Sequence, residues 1–177
     1  MLADLLTAWA EFLGDRLVNV CGQDAPDRVL RYHGGPPPDD AGCDNVLSVW
    51  WDPPLTLTGT SREQPCGGPL TATIGARWTR CWKIPEASKS GLIRDDVRWD
   101  ADAAILADVA ECVASEIVGL QCAPKTGNAD PFVQAVLDRI ASLSFAGANP
   151  YGPGGGSAGV LWRATVKIRA TSRSEAS

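Results

Sequence analysis

Residues 160–170 read VLWRATVKIRA, and this stretch decides the fold class. Apolar residues occupy every even position up to 170, while arginine, threonine or lysine stands at the odd positions from 163 onward. Such alternation is typical of a β-strand with one buried and one solvent-exposed face. Residues 70–84 (LTATIGARWTRCWKI) alternate similarly, and Gly75 is a candidate bulge. The two segments predict a mostly antiparallel sheet that is covered on one face.

Three other segments have the period of an α-helix. Apolar residues recur at intervals of three and four in residues 2–17 and again from about residue 100 to 120. Asp100 or Asp102 can cap the second of these helices. Residues 131–143 begin with a proline and carry a shorter apolar stripe, which predicts a third helix. Helices before and between the strands predict an α+β fold, a two-layer sandwich of sheet and helices.

The remaining segments are short strands and long loops rich in glycine and proline. The other predicted strands are residues 29–33 and residues 45–52, the latter ending at Pro53-Pro54. The predicted loops or arms are residues 34–44, 58–69 and 147–159. Together these elements predict a single domain over residues 1–170, followed by a frayed tail at residues 171–177.

Composition and charge exclude several classes of protein. The 177 residues carry a net charge of −5, which disfavours broad nucleic-acid binding because that needs clustered basic residues. Residues 1–63 have a net charge of −6 and the remainder +1, a segregation that can steer a partner. No apolar run is long enough to span a membrane. Acidic residues interrupt the first twenty positions, so we expect no signal peptide and assembly in the cytoplasm.

No combination of residues predicts a catalytic or cofactor site. His33 is the only histidine, and no cysteine stands at a spacing that would make it a nucleophile partner. The glycines of residues 151–159 lack the lysine and the following helix of a phosphate-binding loop. The carboxylate pairs Asp39-Asp40 and Asp95-Asp96 lie in polar stretches and are expected to be solvated. The sequence therefore predicts a protein that is not an enzyme and needs no cofactor.

The six cysteines allow two interpretations. They lack the Cys-x₂₋₄-Cys spacing of a zinc site, so we expect no metal. Without a secretory signal, reduced thiols are the default expectation, and disulfide pairing is the alternative.

The tryptophans are candidate anchors for a partner. Trp50 and Trp51 are adjacent in a predicted strand, so they must point to opposite faces, and at least one leaves the main core. An exposed tryptophan is a common interface anchor, although a loop or helix of the same chain can cover it instead. Trp78, Trp82 and Trp162 are predicted to belong to the core.

Four segments in succession resemble a family of tail terminator and head-to-tail connector proteins in long-tailed phages of actinobacteria. They are the Cys-Gly-Gln at residues 21–23, the Arg-Cys-x-x-x-Pro at 80–85, the Asp/Ala-rich helix at 101–122 with its cysteine, and the Gly-Pro-x-Gly-Gly-x-x-Gly at 152–159 that leads into the last strand. The family pattern has an acid and a cysteine in this last turn, where the present chain has Gly154 and Ser157.

The resemblance implies a structural virion protein at the junction of tail and neck. Such a protein forms a ring, commonly a hexamer, that ends polymerisation of the tail tube. It binds the tail tube protein on one side and a head–tail stopper or adaptor on the other, and DNA passes through its lumen without sequence-specific contact. A ring needs two distinct patches on each subunit. The candidate interface residues are Trp50, Trp51, Tyr151, Pro153, Gly155, Arg163, Lys167 and Arg169.

Other functions stay open at this point. Within the same particle, the chain could be the stopper or adaptor, or the tail tube subunit. From other classes, the alternatives are a small cytosolic hydrolase that uses His33 and a cysteine, and a secreted binding module held together by disulfides.

Overall fold

The computed structural model describes residues 2–37, 44–57, 70–81, 96–154 and 157–168. The helices are α1 (Leu2–Asp15), α2 (Asp96–Cys122) and α3 (Pro131–Leu137). The strands are β1 (Arg28–Tyr32), β2 (Val46–Leu57), β3 (Leu70–Cys81), β4 (Ile140–Gly154) and β5 (Ser157–Ile168). A π-helical turn, Arg16–Val20, continues α1. The predicted α+β fold is confirmed.

The five strands form one mixed sheet in the order β1-β2-β3-β5-β4. β1 runs parallel to β2, whereas the other three pairings are antiparallel. The sheet is therefore mostly antiparallel, as predicted. The exception arises because the chain returns to the start of β2 after Tyr32 instead of turning back in a hairpin.

The helices pack on one face of the sheet and enclose the core. Trp162 of β5, Trp78 of β3 and Leu47 of β2 point towards the helices, together with the apolar stripes of α1 and α2. Trp162 also donates a hydrogen bond from Nε1 to the carbonyl oxygen of Ala110 in α2, 3.3 Å away. The predicted core positions of Trp78 and Trp162 are confirmed, and Trp82 lies outside the described residues.

The opposite side of the sheet is called the outer face below. Since side chains alternate along a strand, it carries the residues that point away from the helices. These are Ser48, Trp50 and Asp52 of β2, Thr73, Gly75, Arg77 and Thr79 of β3, and Gly159, Leu161, Arg163, Thr165 and Lys167 of β5.

The stretch from residue 138 onward corrects two predictions. The helix predicted for residues 131–143 ends at Leu137, and β4 begins at Ile140. Ile140 and Leu143 are buried strand residues on either side of a bulge. Two buried residues three positions apart also fit the apolar stripe of a helix, which is why the predicted helix is too long. Within the loop predicted for residues 147–159, residues 147–154 are instead the end of β4 and residues 157–159 the start of β5, and the two strands pair antiparallel.

Two element boundaries also differ from the prediction. β2 continues past the cis Pro53-Pro54 bond to Leu57, with a register shift between Asp52 and Thr56 where the prolines cannot donate to the ladder. α2 begins at Asp96, so neither Asp100 nor Asp102 is its cap. The predicted loop at residues 58–69 lies outside the described residues. None of the described helices is both long and apolar enough to cross a membrane.

The expectation of reduced cysteines is wrong for three of them. Cys21 at the end of the π-helical turn and Cys112 in the middle of α2 form a disulfide. Cys81 is disulfide-bonded as well. Cys122 is free and exposed. Spacing alone could not reveal the Cys21–Cys112 pair, because the two residues are 91 positions apart and meet only when α2 packs beside the π-helical turn that continues α1.

Candidate assembly interface

Trp50 occupies the centre of the outer face without being available on the surface. Its side chain is 1% exposed, and its Nε1 donates a hydrogen bond to Asp52 Oδ1 at 2.8 Å. The indole lies directly over Gly75, where a Cβ atom would come within 2.4 Å of Trp50 Cε2. Gly75 is therefore a site of close approach, and the predicted bulge there is wrong because the register passes through it without a shift.

The segment after β1 packs against this part of the sheet. The Gly35 N–H donates to the Trp51 carbonyl oxygen at 3.0 Å, and Arg77 Nη2 donates to the Pro37 carbonyl oxygen at 3.4 Å. Pro37 is buried. Residues 35–37 of the predicted arm are thus bonded to the sheet beside Trp50. Trp51, on the core side, is half-buried against the apolar cluster.

Tyr151 ties the β4–β5 hairpin to β3. Its hydroxyl lies 2.7 Å from Thr79 Oγ1, so the side chain crosses β5 above Gly159. A Cβ atom at Gly159 would lie 2.0 Å from the Trp78 carbonyl oxygen and 2.7 Å from the Tyr151 hydroxyl. Glycine at this position permits close strand approach, a role that the prediction of a loop over residues 147–159 did not include. Tyr151 is half-buried and retains some surface for a partner.

Arg163 and Lys167 are exposed on the outer face, as the alternation of the last strand predicts. Arg163 Nε lies 3.9 Å from Asp52 Oδ2, and 51% of the arginine side chain is exposed. Residues 140–168 contain no acidic residue, so the hairpin presents only positive charge. Of the other candidate interface residues, Gly155, Arg169 and the side chain of Pro153 lie outside the described part of the chain.

A second surface feature is a groove that the sequence does not indicate. It is open, has a volume of about 370 Å³, and is called the α1–β1 groove below. Val29 and Phe132, which are 39% and 36% exposed, supply much of its apolar surface. The other lining residues are Ala10, Glu11, Gly14, Asp15, Val18, Asn19 and Arg31. Because four separate segments build the groove, no periodicity in the sequence could reveal it.

The buried Arg16 holds the elements that form this groove. Its side chain is 9% exposed, with Nη1 2.7 Å from Asp15 Oδ2 and Nε 3.1 Å from Glu116 Oε2, while Nη2 bonds Asp130. Its guanidinium also lies over the Phe12 ring, 5.0 Å from the centroid. One cation thus joins α1, α2 and the residue before α3. Sequence reasoning missed this role, because an arginine at the end of a helix ordinarily remains solvated.

Asp130 is both a partner of Arg16 and the N-cap of α3. Its Oδ1 accepts hydrogen bonds from the N–H groups of Phe132 at 2.9 Å and Val133 at 3.2 Å. Burial acts to raise the pKa of this carboxyl, but the hydrogen bonds from Arg16 and from the two N–H groups outweigh it, so the pKa is lowered. The cap fixes the first turn of α3 and thereby places Phe132 in the groove.

The described residues bring no catalytic constellation together. His33 is exposed just after β1, and no three His, Cys, Asp or Glu residues among those described are close enough to hold a metal. No model of a known protein family matches the chain, and no curated protein matches its sequence. What the fold and surfaces define is a disulfide-linked α+β protein with a basic outer face and an apolar groove at one end of its sheet.

Replacing Gly75 with alanine tests the packing beneath Trp50. We expect Gly75→Ala to lower the free energy of unfolding by about 1–3 kcal/mol, because the new methyl group overlaps the buried Trp50 indole. Urea denaturation measures the change. The matched control is Gly119→Ala on the exposed side of α2, where no atom lies within 4 Å. That variant should gain about 0.5–1 kcal/mol, and equal losses in both would contradict the packing.

Proposed function

We propose that this chain is a non-enzymatic structural protein of a long-tailed phage, and that it forms the ring that terminates the tail tube and joins it to the neck. The observation that carries the proposal is the arrangement of the four segments that resemble the terminator family. They are distant in sequence, yet they form two directly bonded pairs in the fold. If the four motifs occurred in this order by chance, there would be no reason for them to pair in the fold.

The first pair is covalent. The Cys-Gly-Gln segment and the Asp/Ala-rich helix supply Cys21 and Cys112, which form the disulfide. The second pair is a strand ladder, in which the Arg-Cys segment at the end of β3 lies beside the start of β5. Here Ser157, at the position of the family's turn cysteine, is the register partner of Cys81. Cys81 is bonded elsewhere in the chain, so the departure at Ser157 does not remove its disulfide.

Labelled particles test the location. We expect a tag on the C-terminal end of the chain, imaged on intact virions, to mark a single site between head and tail. Label found only elsewhere on the particle, or only in the unassembled fraction, would refute the proposal. A monomer in solution would not refute the proposal, because a terminator ring can assemble on the tail tube and still be absent from the purified protein.

Copy number separates the terminator from the tail tube subunit. Quantitative mass spectrometry of purified virions should give about one ring's worth of chains, commonly six, relative to a capsid protein of known number. Dozens of rings per virion would mean the tube protein instead. A stopper or adaptor has the same low number but should remain with the head when tails and heads are purified separately.

A secreted binding module is the second candidate, and the disulfides are the observation that favours it. Such bonds are typical of secreted domains and also of particles that mature outside the cell. Fractionation of the native producing cells decides between them, since a module exported on its own would appear outside cells that release no particles. The hydrolase alternative has no comparable support, and His33→Ala should leave particle assembly intact.

A further inference from the structure

A small polar pocket, called the Arg80 pocket below, lies where the end of β3 meets the segment after the π-helical turn. It has a volume of about 190 Å³, is partly open to solvent, and is lined by Gln23, Asp24, Asn45, Trp78, Arg80 and Cys81. The Cys-Gly-Gln segment and the Arg-Cys segment both contribute to its wall. Two segments that are far apart in the sequence therefore meet at one cavity.

Hydrogen bonds fix the walls of the Arg80 pocket. Asn45 Oδ1 accepts a hydrogen bond from Trp78 Nε1 at 2.7 Å. Asn45 Nδ2 donates to the carbonyl oxygens of Asp24 and Ala25, at 3.3 Å and 3.0 Å. Because these polar walls already bond one another, little ordering of the protein opposes the entry of a ligand.

Arg80 is the cation of this pocket and lacks an anionic partner. Strand alternation places it on the same side of β3 as Trp78, and it is half-buried there. Its guanidinium lies over the Trp78 ring, with Cζ 5.9 Å from the centroid. Within the described part of the chain, no carboxylate or hydrogen-bond acceptor contacts this guanidinium. Its planar N–H donors are thus available, and they match the two oxygens of a carboxylate.

Size and charge favour a single carboxylate as the ligand. Pockets that enclose drug-sized molecules have volumes of about 300–1,000 Å³, so the Arg80 pocket suits a group the size of a side chain. Asp24 adds a negative charge to a lining in which Arg80 is the only cation. A group with one negative charge therefore suits this lining better than a phosphate monoester, which carries more charge and is repelled more strongly by Asp24.

We propose that the Arg80 pocket binds the side-chain carboxylate of an aspartate or glutamate from a partner protein. The Arg80 N–H groups donate to the two carboxylate oxygens, while the cation–π contact with Trp78 holds the guanidinium in place. The partner is a neighbour at the junction of tail and neck, and this part rests on the proposed function. Recognition of the carboxylate does not rest on it, because one folded chain supplies the whole pocket.

An NMR titration of the purified full-length protein tests the carboxylate site. The arginines are isotope-labelled, and the Nε–H signal of Arg80 is identified as the one that disappears in Arg80→Lys. The probe is N-acetyl-glutamate methylamide, which carries one side-chain carboxylate between two neutral peptide groups. Its matched control is N-acetyl-glutamine methylamide, which has the same shape without the charge.

The capped glutamate should shift the Arg80 signal saturably, with a dissociation constant on the order of 10 mM, because it makes a single charge-assisted contact. The capped glutamine should cause no saturable shift. Equal shifts from the two probes, or no saturation by about 100 mM capped glutamate, would overturn the proposal. Tighter binding of inorganic phosphate than of the capped glutamate would overturn it in favour of a phosphate site.

Variants of the pocket give a second readout, followed on the backbone N–H signal of Cys81 in uniformly labelled protein. Arg80→Gln should weaken binding of the capped glutamate at least about tenfold, because it removes the charge and the paired donors. Asp24→Asn should tighten binding about two- to fivefold, because it removes the repelling charge, and it tests the site even if Arg80→Gln does not fold. Arg31→Gln makes the same change at an exposed arginine outside this pocket and should leave the affinity unchanged. An affinity that either pocket variant leaves unchanged would contradict the assignment.

Incorporation into particles tests the partner. The amount of Arg80→Gln chain in purified virions should fall several-fold below the parent, whereas Arg31→Gln should be incorporated like the parent. Equal incorporation of Arg80→Gln and the parent would overturn the assignment of the carboxylate to a partner protein.

The titration and the virion imaging can fail independently. Binding of the capped glutamate by a chain that is absent from the neck would uphold the carboxylate site and refute the tail-terminator function. Neck labelling without binding of the capped glutamate would uphold the function and refute the site.

Discussion

Replacing Cys21 and Cys112 together with alanine is expected to lower the free energy of unfolding by about 4 kcal/mol. The disulfide closes a loop of 91 positions, and the chain-entropy model gives a loss of this order for a loop of that length. A typical domain is stable by only about 5–15 kcal/mol, so the variant should lose a large part of its stability. Urea denaturation of the double variant and the parent at equal concentration measures the difference.

The control for this experiment is Cys122→Ala. This cysteine is free and exposed, so its replacement removes neither a crosslink nor buried surface and should change the stability by less than about 0.5 kcal/mol. A double variant as stable as the parent would show that the Cys21–Cys112 bond does not constrain the unfolded chain. Mass spectrometry of the intact parent before denaturation confirms that the bond is present.

Replacing Arg16 with methionine should have the second largest effect, a loss of about 3 kcal/mol at neutral pH. Methionine fills much of the space beside Phe12 but leaves Asp15, Glu116 and Asp130 without their shared cation. Breaking a buried ion pair by removing one partner usually costs about 3–5 kcal/mol. The lower end applies here because the Glu116 and Asp130 side chains are 35% and 32% exposed.

An exposed ion pair supplies the control for Arg16→Met. Arg28 Nη2 lies 2.6 Å from Asp44 Oδ2, with side chains that are 49% and 54% exposed. Because solvent screens such a pair, Arg28→Met should cost less than about 1 kcal/mol. Similar losses in the two variants would contradict the hub role of Arg16.

The pH dependence of Arg16→Met gives a second readout. The folded-state pKa of Asp130 is lowered below its ordinary value of 3.8. The stabilisation that its ionised carboxylate gives to the folded state is therefore complete above that pH and is lost as the pH falls further. The stability difference between the parent and Arg16→Met should therefore narrow below about pH 4. A difference that stays constant down to about pH 3 would exclude the Arg16–Asp130 interaction as its source.

The sequence by itself determined the elements whose periodicity is strong. The alternation of β3 and β5 and the apolar stripes of α1 and α2 are repeated over many residues, so burial of one face dictates each of them. The core positions of Trp78 and Trp162 followed from the same alternation. The placement of Trp50 and Trp51 on opposite faces followed from adjacency in a strand.

Tertiary structure alone decided the features that depend on distant residues. The parallel pairing of β1, the Cys21–Cys112 bond and the Arg16 cluster each join segments that no local pattern relates. The glycines of residues 147–159 look like a loop in the sequence, but Gly159 is needed where the Trp78 carbonyl and the Tyr151 hydroxyl crowd the strand. The local sequence determines which secondary structure a residue prefers. The distant neighbours that override this preference are set only by the tertiary packing.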